Sequence, residues 1–169
     1  MADSITPTLE PAFRTRLNPA PGFEVGKLFT GQSLTVVPIT SGNISSVPGF
    51  GIPLDAEVVF GSDSVTLDPS GKHVRIHVEA VVKNKKDGAL ATYSYVGIVK
   101  VDPAYVLLVT GDPNAKTTEF GSALSHVTFT TGAESLKDLE TSLFVGSARF
   151  VVQEGGGFYV DTRVSRVVG

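Results

Sequence analysis

The chain has 169 residues, 41% of them hydrophobic and 18% charged, with a formal net charge of −3 and no cysteine. It is long enough for one domain with a full core, and disulfides, thiolate catalysis and zinc–thiolate sites are excluded. An acidic balance without a Lys/Arg run lacks the basic footprint that phosphate backbones require, so nucleic acid is not an expected partner.

The opening MADSITPTLEPAFRTRL has no apolar signal core, and no run approaches about twenty apolar residues. A cytoplasmic protein without membrane contact is expected. Eighteen glycines and ten prolines punctuate the chain, as suits many short strands joined by turns. Residues 1–22 carry four prolines and read as an extended lead-in, leaving 23–169 as the domain. Phe23 to Ile39 reads as one long strand or a bent pair, with Gly26 and Gly31 as bulge points. The Gly/Ser-rich stretch Thr40 to Gly51, tipped by Val47 and Phe50, reads as a surface crossover or as a lid over a cavity mouth.

Ala56 to Phe60 is a strand, Gly61 to Ser64 a bend, and Asp68-Pro-Ser-Gly71 a turn. Val74 to Lys100 reads as a hairpin about a two-residue turn at Asp87-Gly88. Pairing Lys86 with Ala89 would set Val82 opposite Tyr93 and Ala80 opposite Tyr95. Ala104 to Val109 reads as a strand bounded by Asp-Pro, and Phe120 to Thr131 as another. Ala133 to Leu139 is the one expected helical piece. The chain closes with a second hairpin about Gly155–Gly157. Eight or so antiparallel strands point to a closed β-barrel, lipocalin-like in shape, or to a two-sheet sandwich; the barrel is preferred because closure removes exposed edges.

No nucleotide loop, HExxH, GxSxG or metal-ligand spacing occurs, so neither a metal nor a cofactor is expected. Candidates therefore come from constellations. Arg75, His77 and Glu79 alternate on one face of a strand whose other face, Ile76, Val78, Ala80 and Val82, is apolar. Turned into a water-poor lumen, His77 and Glu79 form an acid/base pair; turned to solvent, they are an ordinary charged exterior. The expected register puts Thr92 and Ser94 on their face and both tyrosines on the apolar one. A one-residue slip would exchange them. Glu140, where a turn enters a strand, is a second candidate acid. Asp161 and Arg163 suggest a structural ion pair.

Several segments in order resemble the family labelled DUF3237 or UPF0311, small β-barrels of bacteria and fungi. They are GSDSVTLDPSGKHVRIHVEAVV, KKDGALATYSYVG, and FTTG followed by LETSLFVGSARF. The resemblance runs over roughly residues 23–168. It implies acidic and polar site positions at Asp63, Glu79, Thr130 and Glu140. Glu79 stands where the family often has Asp, Thr130 where it has Glu, and Glu140 where it has Asn. Fungal relatives look like accessory proteins of natural-product pathways.

The expectation is a cofactor-free isomerase, cyclase or related lyase moving protons on a small hydrophobic metabolite in the lumen. Glu79, Glu140, Asp63 and His77 would act as acids and bases, and Tyr95, Tyr93, Thr130, Ser94 and Phe50 would contact the substrate. A lipocalin-like carrier is the alternative, and a scaffold with a filled lumen the third. A homodimer or higher oligomer is plausible from the apolar strand faces.

Overall fold

The computed structural model describes residues 6–169 as a nine-stranded antiparallel sheet in the order β1-β9-β8-β7-β6-β5-β4-β3-β2, closed by an additional pairing of β1 with β3. Eight strands form the barrel: β1 (Thr8–Pro19), β3 (Ser33–Ser46), β4 (Asp55–Leu67), β5 (His73–Asn84), β6 (Leu90–Lys100), β7 (Ala123–Thr131), β8 (Phe144–Val152) and β9 (Phe158–Val168). The short β2 (Phe23–Lys27) adds to β3 outside the ring. No helix among the described residues is long and apolar enough to cross a membrane.

Closure fixes what the sequence left open. The expected lead-in is a full barrel stave: β1 pairs with β9 on one side and β3 on the other, and only residues 1–5 lie outside the described residues. Prolines had argued against a strand, but Pro11 sits at a bulge against β9 and Pro19 at one against β3, where a missing N–H costs no ladder bond. The β1–β3 seam is tight. A Cβ on Gly42 would press on the carbonyl oxygen of Arg16 across it.

Three further expectations change. Residues 40–46 continue β3, so no long lid exists; Phe50 is buried in the core, edge-on to Phe13 at 5.0 Å. Pro103–Val109 is a helix, α1, rather than a strand. The Asp102 side chain accepts the Tyr105 N–H at 2.9 Å, and Pro103 begins the helix where its missing N–H is harmless. The β5–β6 connection is a four-residue loop, Lys85–Gly88, closed by the Asn84 N–H to the Ala89 carbonyl at 2.8 Å. Tyr93 therefore faces Ala80 and Tyr95 faces Val78, two places from the expected register. An even shift leaves every side chain on its expected face. The helical piece near residue 134 is a short 3-10 helix, Glu134–Leu139.

The interior is divided. One half is filled by an aromatic cluster in which Phe13, Phe129, Phe144 and Tyr93 meet at centroid distances of 5.3–5.5 Å. Arg166 lies over Phe50 at 5.3 Å and bonds Glu10 at 2.6 Å, shutting that end. The other half is open.

The seam yields a test. Gly42→Val should lower stability by about 1–3 kcal/mol in urea denaturation, because the added atoms force the two strands apart. Gly51→Ala, with nothing within 4 Å of the new Cβ, should change it by less than about 0.5 kcal/mol.

Candidate functional site

The open half of the barrel holds a cavity of about 810 Å³. Its walls follow from alternation: inward residues of β4, β5 and β6 at one level are Asp63, Val78 and Tyr95, neighbours in the ladder. Above them Gly97, Ser125 and Gly146 form a cross-strand row. Of the three, Ser125 lines the cavity, while a Cβ added at Gly97 would press on the Leu124 carbonyl oxygen and one at Gly146 on the Ser125 hydroxyl. Helix α1 covers the mouth, presenting Tyr105 and Leu108, and Pro21, Glu24, Phe150 and Phe158 complete the rim and upper wall.

Most of this lining is apolar, which makes Asp63 its chemical centre. One carboxylate oxygen accepts the backbone N–H of His77 at 3.1 Å. Burial pushes the carboxyl up to about 6, against smaller lowering effects from that hydrogen bond and from the His77 charge. Tyr95 is raised well above its ordinary range by burial first, then by Tyr93 and Asp63. Tyr105 is pushed up to about 12 by burial and by Asp63. An acid poised near neutrality thus sits among phenols that stay protonated. Deeper in the packed half, burial raises Tyr93 against a smaller lowering effect of the Thr15 hydroxyl beside it.

The other candidates lie elsewhere. His77 and Glu79 point outward, their Nε2 and Oε1 atoms 3.6 Å apart, with side chains 54% and 72% exposed. The apolar row Val78, Ala80 and Val82 takes the lumen instead, since burying it releases more free energy than burying two ionisable groups. His77 lines only an outer depression open to solvent. Thr130 and Thr92 are outside as well, hydroxyl to hydroxyl, and Ser94 offers its carbonyl to Thr128 there. Glu140 accepts the Thr131 N–H at 3.0 Å at the packed end, tying the 3-10 helix to β7. Phe50 and Tyr93 belong to the aromatic core rather than the cavity. Asp161 bonds Arg149 at 3.0 Å and lies 3.9 Å from Arg163.

Of the expected residues, Asp63 and Tyr95 are brought together in the cavity. Tyr105, Thr162 and Glu24 were not anticipated. The signal for Tyr105 was present in Asp102-Pro103, a helix start. Among the described residues no group of three His, Cys, Asp or Glu side chains could hold a metal ion.

The sequence profile described as "Protein of unknown function (DUF3237)" matches residues 7–167. The chain belongs to the DUF3237 family. Solved structures similar to it include a conserved protein of unknown function from Rhodopseudomonas palustris, 21% identical, with a TM-score of 0.76 over 98% of this chain and 100% of the other. A β-barrel-like protein from Acinetobacter baumannii is 19% identical, with a TM-score of 0.73 over 99% and 100%. A structure described as an enzyme from Penicillium herquei is 15% identical, with a TM-score of 0.64 over 99% of each chain. At these identities the likeness shows a shared fold. No curated protein matches the chain significantly.

The half-buried acid leaves a mark on stability. Its carboxyl titrates near 3.8 when unfolded and about 6 when folded, so between those values the folded chain holds more protons and loses stability as pH rises. Asp63→Asn lacks this penalty. Its stability relative to the wild type should grow by up to about 3 kcal/mol between pH 4 and 7 in denaturant titrations, and a pH-independent difference would contradict the burial.

Proposed function

We propose that the protein is a cofactor-independent isomerase or cyclase that moves a proton on a small, mainly apolar metabolite held in the lumen, with Asp63 as the general acid/base. The observation that carries this reading is the carboxyl of Asp63, held near 6 in an apolar cavity. A group with that value is a competent base when ionised and a competent acid when protonated close to neutral pH. In the forward step the carboxylate takes a proton from carbon next to a carbonyl. The electron pair moves to the carbonyl oxygen, and Tyr95 or Tyr105 donates an O–H hydrogen bond to the resulting enolate. Returning the proton to a different atom completes an isomerisation; attack of the enolate carbon on a second carbonyl of the same molecule, whose oxygen then takes the proton from Asp63, completes a cyclisation.

Size and access support the reading: about 810 Å³ lies within the range of small-molecule sites, and the strand framework holds Asp63 and Tyr95 rigidly at one level. The proposal places the reaction on Asp63, with Glu79 on the outer wall and Glu140 occupied by Thr131.

The predominance of aliphatic lining favours a second reading, a carrier that binds without turnover. One experiment separates the two. In D2O, the wild type should accelerate deuterium uptake next to the carbonyl of 2-tetralone, and Asp63→Asn should slow it by about 100-fold or more. Glu79→Gln should retain the wild-type rate. Binding of 2-tetralone without exchange would favour the carrier, and exchange unaffected by Asp63→Asn would overturn the assignment.

A further inference from the structure

We propose that the lumen selects its ligand by charge, accepting an uncharged molecule that presents a hydroxyl to Asp63, Tyr95 and Tyr105 and rejecting carboxylates and phosphates. This deepens the reading of the lumen as a ligand site and rests on it. The first observation is a census of charge: among the described residues, no lysine, arginine or histidine lines the cavity, and its carboxylates are Asp63 and, at the mouth, Glu24. An anion entering would leave water for an apolar wall, meet no cation, and face the Asp63 carboxylate. Each of these opposes binding.

The second observation is hydrogen-bonding capacity left unused. Asp63 receives one N–H, from His77, on Oδ1; Oδ2 has no hydrogen-bond partner among the described residues. The hydroxyls of Tyr95 and Tyr105, which line the same cavity and feel the Asp63 charge, have none either. An acceptor and two donors therefore line one cavity without satisfying one another. These three groups open onto the cavity, so a ligand that takes the place of water there must offer a group that both donates and accepts.

A hydroxyl does this: its O–H reaches the carboxylate and its lone pairs take the tyrosyl hydrogens. An ammonium group would satisfy Asp63 but leave both tyrosines without an acceptor, and it would have to shed its hydration in a mostly aliphatic lumen. A bare hydrocarbon would satisfy none of the three. The aliphatic remainder of the cavity, including Val99, Leu108 and Val160, accommodates the ligand's apolar body.

The test is equilibrium binding of four shape-matched probes to the full-length protein near pH 7, by calorimetry: 2-naphthol, 2-naphthoate, 2-naphthylmethylammonium and naphthalene. 2-Naphthol should bind tightest, and 2-naphthoate at least roughly tenfold more weakly. In Asp63→Asn, 2-naphthoate should recover several-fold relative to 2-naphthol, because one source of repulsion is gone. Naphthoate or the ammonium probe binding as tightly as naphthol would overturn the proposal. Equal affinity for naphthalene would overturn the role of the hydroxyl, and no binding of any probe would overturn the lumen as the ligand site. Because binding alone is read, naphthol selectivity without deuterium exchange rejects only the catalytic reading, and exchange without selectivity rejects only this one.

Discussion

The pairing of β1 with β3 is the constraint on which the other features depend. It turns a curled sheet into a ring, and only in a ring does each strand acquire a definite inside. Gly42 permits the seam, since the backbone of Arg16 lies where its Cβ would stand. Once the ring is closed, the apolar row of β5 must face inward, and Asp63, its ladder neighbour on β4, is carried in with it.

The barrel uses its interior in two ways. Large rings from β1, β6, β7 and β8 pack the closed end, where each aromatic pair contributes about 0.5–1.5 kcal/mol beyond simple burial. Towards the other end Val65, Val78, Val99 and Val160 line an open cavity instead. The packed half supplies stability, and this leaves the open half free to hold a carboxyl at an energetic cost. Desolvation of Asp63 opposes folding at neutral pH, and a ligand that supplies its missing partner would relieve part of that cost.

Much of this was legible in the residues. Alternation in Val74–Lys100 separated the two faces of β5 and β6 correctly, because a period of two survives a two-residue error in register. Which face looked inward was not legible, since that depends on closure by β1, and β1 was hidden by prolines that the structure places at bulges. Helix α1 was hidden by valines and a tyrosine that favour strands, although Asp102 and Pro103 form a good helix start. The row of Arg75, His77 and Glu79 looked chemical because its residue types are. Asp63, in a stretch that reads as a plain bend, owes its character to burial, which no local pattern encodes.

The central claim is that a carboxyl lining the barrel cavity is held near neutrality because desolvation outweighs the lowering effects of the His77 N–H and the His77 charge. Carbon-13 NMR of the Asp63 side-chain carboxyl, followed through a pH titration of the folded protein, tests this directly. The account predicts a midpoint of about 6. A midpoint at the ordinary aspartate value near 3.8 would show that the group is solvated, and would contradict it.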